Sequence, residues 1–262
     1  MEIADDLGAK KSVMDAVEQA KRNIGEYVIP KLTDLVNGRR KIVDSPPMVV
    51  HSSREGEVDL VLELLDNYKE TVPQHLRVLL NLYELEDYAM KVVGVGSVGT
   101  RCAIILMRAG ASDWLLLQVK EAKQSVLEPY VGKSKFSNHG QRVVEGQKIM
   151  QSASDPFLGY VVSEGRNYYI RQLKDMKWAV SFQSIPRFEN ASVYVRACGA
   201  SLAKAHARNG DQAILAGYMG KGKAFDVAIA DFAKAYHKQV VSDHKLMLEA
   251  IESGRIGAKN DL

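Results

Sequence analysis

The sequence predicts an α+β protein in which a small antiparallel sheet lies between two largely helical stretches. Residues 10 to about 88 repeat apolar side chains every three or four positions, which is the helical period. From Met90 the pattern changes to the alternation typical of strands, and after Pro186 the helical period returns. We therefore predict a helical N-terminal segment at 1–88, a sheet-containing region at 89–178 and a helical region at 179–262.

The N-terminal segment is predicted to be helical throughout. Its first helix carries one apolar stripe formed by Val13, Val17, Ala20, Ile24 and Val28. Pro30 is expected to end or kink this helix, and Asn37-Gly38 to cap a short continuation at its C-terminal end. Two further helices are predicted from these apolar side chains: Val58, Val61, Leu62, Leu65 and Tyr68, then Leu76, Leu79, Leu80 and Tyr83.

The middle region contains the predicted sheet. Three strands at 91–93, 101–107 and 114–119 form an antiparallel meander, and a hairpin joins 157–162 to 168–173. The helix predicted at 139–152 is expected to pack on this sheet.

The last region is predicted to be helical. One helix ends at Asn209-Gly210, and Asp211 is the N-cap of the next helix. A further long helix continues to Gly254.

Composition excludes several classes of protein. Thirty-five basic and thirty-two acidic residues give a net charge of +3, which is too small to predict a nucleic-acid-binding surface. The one basic cluster, Arg39-Arg40-Lys41, is expected to be a solvated turn. Cys102 and Cys198 are far apart and both are expected to be buried, without a disulfide or metal-ligand spacing. The chain has no apolar leader and no membrane-spanning run, so we expect a soluble, cytoplasmic protein.

The strongest motif is a glycine loop at 94–99, which matches G-x-G-x-x-G. A dinucleotide-binding loop requires a helix directly after the glycines, but the residues from Thr100 to Leu106 favour a strand. Strand, glycine loop and strand is the arrangement of the kinase loop that covers the phosphates of ATP. We predict that Gly94, Gly96, Ser97 and Gly99 contact nucleotide phosphates; a plain hairpin whose glycines only supply positive φ is the structural alternative.

A lysine follows the loop at the distance expected in a kinase. Lys120 ends the third predicted strand in Gln118-Val119-Lys120, where a kinase places the lysine that meets the phosphates. Such a lysine needs a carboxylate, and Glu145 on the next helix is the candidate, with Glu128 as its rival. We predict an ion pair between Lys120 and one of these two glutamates. Arg171, Lys174, Asp175 and Lys177 follow the last strand; they are expected to form salt links between lobes or to contact a phosphate.

Several long strings resemble a bacterial family, the domain of unknown function DUF2252. The matching stretches are 91–101, 117–122, 125–128, 138–147, 169–177 and 205–211, with Lys31-Leu32-Thr33 and Pro46-Pro47 in a linker. The resemblance covers nearly the whole chain. It implies a protein-kinase-like fold, in which a small antiparallel sheet with one packed helix adjoins a helical lobe, and it implies no established reaction.

One departure from the family bears on catalysis. Family members carry upstream a Gly-Asp-x-His-x-x-Asn-Phe element and an acidic Phe-Asp-x-Asn-Asp-Phe-Asp element, which look like the catalytic and metal-binding loops of a permuted kinase. Here neither Gly210-Asp211 nor Phe225-Asp226 continues into these patterns, so the chain looks like the family's C-terminal part. Phosphoryl transfer relies on Mg²⁺ held by acidic side chains. We therefore expect the chain to bind ATP, without the acidic loop that would hold Mg²⁺ and without a metal-ligand set of its own. No catalytic residue is assigned, so a phosphotransferase and a non-catalytic domain are both alternatives.

Three functions are compatible with the sequence. The first is a nucleotide-binding, kinase-like domain with little or no phosphotransferase activity alone, which associates with itself or with a separately encoded N-terminal half. The second is a structural or interaction module that retained the fold and lost the ligand. The third, a nicotinamide-dependent oxidoreductase, is disfavoured by the strand predicted after Gly99 and requires a helix at 100–110.

Overall fold

A computed structural model of the protein describes residues 25–52, 55–92, 99–173 and 188–258. The chain forms two compact units, Met1–Ala205 and His206–Leu262. Mixed helices and antiparallel sheets confirm the α+β prediction. None of the helices in these ranges has the length and apolarity that crossing a membrane requires.

The first unit is built around a six-stranded sheet, whose strands are all antiparallel to their neighbours. Its strands are β3 (Val49–Val50), β4 (Glu84–Lys91), β5 (Cys102–Ala109), β6 (Asp113–Glu121), β7 (Gly159–Ser163) and β8 (Arg166–Gln172). They lie side by side in the order β3-β4-β5-β6-β8-β7. The predicted hairpin is therefore confirmed as β7-β8. The predicted meander is confirmed as β4-β5-β6, but its first strand, predicted at 91–93, lies at Glu84–Lys91.

Sixteen elements follow one another along the described parts of the chain, and eight of them are helices. The helices of the first unit are α1 (Gly25–Leu32), α2 (Glu57–Lys69), α3 (Gln74–Leu80), α4 (Glu128–Val131) and α5 (His139–Met150). Helix α6 (Phe188–Asn209) belongs to the first unit up to Ala205, and α7 (Gln212–Met219) and α8 (Ala224–Glu252) form the second. The predicted helices at 139–152 and after Pro186 are confirmed.

Residues 1–24, which include Val13, Val17, Ala20 and Ile24 of the predicted first helix, lie outside the described residues. Within 25–88, the prediction of helix throughout is wrong. Strands β1 (Thr33–Val36) and β2 (Arg39–Ile42) form a separate hairpin, β3 follows at Val49, and β4 already begins at Glu84. Asn37 and Gly38 have φ of 52° and 77°, so this pair forms the two-residue turn between the paired residues Val36 and Arg39. An Asn-Gly pair suits a helix C-cap and a hairpin turn equally well, because both need positive φ.

Neighbouring side chains explain why β2 is a strand. The backbone amide of Arg40 donates to Glu86 Oε1 at 3.1 Å, and that of Ile42 donates to Asp87 Oδ2 at 2.7 Å. Two carboxylates of β4 therefore satisfy backbone amides of β2 that a helix would have used internally. The basic cluster Arg39-Arg40-Lys41 is thus a strand and not a turn, and the Arg40 guanidinium lies 5.3 Å from the centre of the Trp114 ring.

Two apolar layers cover the sheet because side chains alternate between its faces. On one face, α2, α3 and the connection between them contribute Leu64, Leu65, Tyr68, Val72, Leu76 and Leu80. These pack on Ile105, Met107, Leu115, Leu117, Val119, Val161, Tyr168 and Ile170. We call the other face the hairpin face, because Ile42 of the β1-β2 hairpin packs on it. There Ile29 and Ile42 pack with Ala89, Ile104, Leu106, Leu116 and Leu173. The sheet therefore forms the middle layer of the first unit.

Helix α5 contacts β7 and β8. Asn138 caps its first turn, since its Oδ1 accepts from the Gln141 amide at 3.0 Å. Gly140 lies against the backbone carbonyl of Tyr168, so close that a Cβ on this residue would overlap the carbonyl. Glycine at this position thus allows the start of the helix to approach β8.

In the second unit, Asp211 is the N-cap of α7, as predicted. Its Oδ1 accepts from the amides of Ala213 at 2.8 Å and Ile214 at 3.1 Å. Helix α8 ends near Gly254, whose φ of 73° fits the predicted stop. Cys102 is buried as predicted, but Cys198 on α6 is exposed, so the prediction for that cysteine is wrong.

Candidate functional site

The glycine loop connects β4 to β5, with a strand on each side, as predicted. Because β5 occupies 102–109 and no helix follows the glycines in the described chain, the dinucleotide-binding alternative is excluded. Gly94, Gly96 and Ser97 lie outside the described residues. Gly99 has φ of 72°, and its carbonyl oxygen accepts a hydrogen bond from Lys123 Nζ at 2.6 Å.

The C-terminal end of the loop is held to the end of β6 by Glu121. One carboxylate oxygen of Glu121 accepts from the Arg101 amide at 2.9 Å, and the other pairs with Arg166 Nη1 at 2.9 Å. Burial alone would raise the pKa of Glu121, but these two partners outweigh it and hold that pKa below its ordinary value. Sequence analysis missed this anchor, because Glu121 follows Lys120 at a strand end without any distinguishing pattern.

Lys120 lies on β6, directly between Cys102 of β5 and Tyr169 of β8 in the register of the sheet. Its neighbours on alternate positions, Gln118 and Leu116, place it on the hairpin face. The side chain is half-buried. Lys120 therefore stands in the middle of the sheet, one strand away from the end of the glycine loop.

The predicted ion pair of Lys120 is absent: this lysine forms no ion pair with any residue in the described part of the chain. Glu145 instead pairs with Lys148 on its own helix at 3.0 Å. The rival Glu128 accepts a hydrogen bond from Gln124 Nε2 at 2.8 Å. The reason is helical geometry, since the buried Val144 faces the sheet and the next residue points about 100° away around the helix.

Three cations surround the buried thiol of Cys102. The charges of Lys120, Lys91 and Arg171 each lower the pKa of this thiol, but burial outweighs them and raises that pKa to about 11. Lys91 ends β4, directly before the loop, and Arg171 lies on β8. The hairpin face thus gathers positive charge from three strands beside the two ends of the glycine loop.

Arg171 is held in place by a neutral neighbour. Its Nε and Nη2 donate to Gln118 Oε1 at 3.2 and 3.1 Å, across the directly paired strands β6 and β8. Gln118 is only 3% exposed, and its side chain also lowers the pKa of the neighbouring Cys102 thiol. Arg171 forms no ion pair with a described residue, and Lys174, Asp175 and Lys177 lie outside the described residues.

A second polar cluster connects the residues on either side of β3 to β4, and sequence analysis did not identify it. His51 Nδ1 is 2.8 Å from Asp44 Oδ1, and Nε2 is 3.0 Å from Asp87 Oδ2. Burial lowers the pKa of His51, but the hydrogen bonds and charges of Asp87 and Asp44 raise it above its ordinary value. The histidine borders a cleft of about 460 Å³ that Asp34 and Lys41 also line.

Lys120 and Arg171 on the hairpin face can bind an anion, because half-buried cations without carboxylate partners among the described residues favour a negatively charged ligand. The described residues contain no group of three or more His, Cys, Asp or Glu side chains that could hold a metal ion.

Comparisons with known proteins agree with the resemblance found in the sequence. A family model described as "Uncharacterized protein conserved in bacteria (DUF2252)" matches residues 1–250. No curated protein and no solved structure matches the chain. Because the family model covers almost the entire chain, this protein belongs to the uncharacterised bacterial family DUF2252.

Proposed function

We propose that the chain is a kinase-like domain that binds ATP on the hairpin face of its sheet. The observation that carries the proposal is the convergence of Lys91, Lys120 and Arg171 around Cys102, beside the glycine loop. Neither Lys120 nor Arg171 has a carboxylate partner among the described residues, so the phosphates of a nucleotide are the natural counter-charge. Glycines at 94, 96 and 99 allow backbone amides to approach phosphate oxygens closely.

The order of the elements supports a kinase-like fold. Three consecutive antiparallel strands carry the glycine loop in their first connection, and Lys120 directly precedes the last residue of the third strand. A helix, α5, then lies between β6 and the β7-β8 hairpin and contacts both strands of that hairpin. Protein kinases place the glycine loop, the lysine on the third strand and the following helix in this order. Glu145 pairs with Lys148, so in this proposal Lys120 stays free for phosphate.

We propose little or no phosphotransferase activity for the chain alone. The acidic loops that hold Mg²⁺ in a kinase have no counterpart in its sequence, and a glycine loop with a lysine supplies only part of the required charge stabilisation. In this proposal the chain corresponds to the C-terminal part of longer family members, works in the cytoplasm and associates with itself or with a separately encoded N-terminal half.

An interaction module is the second candidate, and one observation favours it. Helix α8 carries an apolar stripe at helical spacing whose members Ile229, Phe232, Tyr236 and Val240 are all exposed. The rings of Phe232 and Tyr236 stack with their centres 5.6 Å apart. Exposed apolar surface of this kind commonly marks a site of protein association.

Titration calorimetry of the full chain with ATP tests the proposed function. We expect saturable binding that is lost in Lys120→Met and kept in Lys69→Met. Lys69 is a matched control, because it is also half-buried but lies on α2, which packs on the other face of the sheet. Absence of ATP binding by the wild type would favour the interaction module, and equal affinities in both variants would show that ATP does not bind at Lys120. Mg²⁺-dependent ATP hydrolysis by the wild type that Lys120→Met abolishes would overturn the proposed lack of catalysis.

A further inference from the structure

We infer that Gln118 is a positioning residue that orients Arg171 as the second phosphate-binding cation, beside Lys120, in the proposed nucleotide site. The inference rests on the proposed function and specifies its ligand as an oligophosphate chain. Lys120 and Arg171 lie on the same face, and the register makes them diagonal neighbours on β6 and β8. Diagonal neighbours of this kind have Cβ atoms about 7–8 Å apart, within reach of one oligophosphate.

The geometry of the Gln118–Arg171 contact leaves part of the guanidinium available. Nε and Nη2 both donate to the single oxygen Gln118 Oε1, so Nη1 and the second hydrogen of Nη2 are not used in this contact. Two bonds to one acceptor fix the plane of the guanidinium. Arg171 is half-buried, so its orientation matters for any ligand that reaches the face.

The chemistry of glutamine explains why the cation keeps its charge. Glutamine supplies the acceptor oxygen without a negative charge, so Arg171 is held and not neutralised. Gln118 is itself fixed, since it is only 3% exposed between neighbouring strands. A glutamate at this position would bind the guanidinium more strongly and cancel the charge that a phosphate requires.

Two like charges on one face destabilise each other unless an anion binds between them. Lys120 and Arg171 have no described carboxylate within ion-pair distance. A ligand with several adjacent anionic groups compensates both of these charges together. Nucleoside triphosphates and inorganic tripolyphosphate share this chemistry, and the experiment compares the two.

Calorimetry on the full chain with ATP and with tripolyphosphate separates positioning from a structural role. Arg171→Ala is expected to weaken oligophosphate binding about tenfold or more, the range for a hydrogen bond to a charged group. Gln118→Glu is expected to weaken oligophosphate binding as strongly, because the new carboxylate neutralises Arg171. This variant keeps the bond to Arg171, so its unfolding temperature should be unchanged or higher. Gln147→Glu on α5, which makes the same charge change, is the matched control and should leave affinity within about twofold.

Each outcome decides the inference. Loss of affinity in Gln118→Glu with an intact fold supports it, whereas unchanged affinity in Gln118→Glu and Arg171→Ala overturns it. If Lys120→Met alone abolishes ATP binding, the proposed function survives and the inference fails. Binding of tripolyphosphate without binding of ATP, lost in Arg171→Ala, supports the inference and overturns the nucleotide site. A wild-type chain that binds neither ligand overturns both.

Discussion

Lys123 holds the last glycine of the glycine loop: its Nζ donates a hydrogen bond of 2.6 Å to the carbonyl oxygen of Gly99. The lysine backbone is held in turn, because Arg142 Nη2 of α5 donates to the Lys123 carbonyl at 2.8 Å. The start of α5 is therefore connected through one residue to the end of the loop. Both contacts are exposed, so each contributes at the low end of about 0.5–1.5 kcal/mol.

We expect Lys123→Met to loosen the connection between the loop and β6. Hydrogen exchange should become several-fold faster in a peptide that covers 99–103, because the carbonyl of Gly99 loses its partner while Arg101 still donates to Glu121. Lys135→Met, an exposed lysine without a described contact, is the control. Equal exchange in the two variants would show that the Lys123 contact does not restrain the loop.

His51 makes the stability of the first unit depend on pH. Its pKa is raised in the folded protein, so its contribution is fully present below the unfolded value of about 6.5 and is lost as pH rises through the higher folded pKa. His51→Gln should therefore lower the free energy of unfolding more at pH 5.5 than at pH 9. Because the side chain is 32% exposed, we expect a difference below about 1 kcal/mol.

Urea unfolding followed by tryptophan fluorescence measures this difference for the first unit, since both tryptophans lie within Met1–Ala205. Asp44, Asp87, Asp34 and Lys41 are the charged groups around the histidine, and Asp44→Asn should reduce the pH dependence by removing one of its two carboxylate partners. A larger effect of His51→Gln at pH 9 than at pH 5.5 would contradict the assigned charge state.

Two glycines should respond to alanine in opposite directions. A Cβ at Gly159 would lie 2.6 Å from Cε2 of the fully buried Tyr68 and 3.0 Å from Thr71 Oγ1. Gly159→Ala is therefore expected to destabilise the first unit by about 1–3 kcal/mol, the usual cost of overpacking. Gly146→Ala, inside α5 with open space around it, should stabilise the unit by about 0.5–1 kcal/mol.

The same urea measurement compares these two variants. If Gly159→Ala left the free energy of unfolding unchanged, Tyr68 would be able to move aside without destabilising the unit, although its hydroxyl donates to the Phe157 carbonyl at 2.5 Å. A destabilising Gly146→Ala would contradict the assignment of open space around that helical position.

Exposed apolar side chains of α8 predict association. We expect the chain to sediment as a dimer or larger species at micromolar concentration, because Phe232 and Tyr236 are 63% and 54% exposed on one apolar stripe. The double variant Phe232→Ser, Tyr236→Ser should shift the chain toward monomer. Lys234→Ser on the same helix, where the lysine is 79% exposed, is the control. A monomeric wild type would remove this support for an interaction module.

Local sequence determined most elements of the protein. Continuous apolar runs of strand length identified β5 and β6, the turn at Gly165 marked the β7-β8 hairpin, and Asp211 marked the start of α7. These features depend on interactions among residues close in the chain, which a periodic pattern or a capping residue reports directly. The sequence also identified the family, because the resemblance depends on contiguous stretches of residues.

Only the tertiary structure decided the remainder. Asn37-Gly38 can end a helix or turn a hairpin, and the choice depended on Glu86 and Asp87, which lie nearly fifty residues away and accept from the amides of β2. Lys120 was identified from its strand, but its surroundings come from Cys102, Tyr169 and Arg171 on neighbouring strands. Strand register and helix rotation bring these residues together, and neither is encoded in any short stretch of sequence.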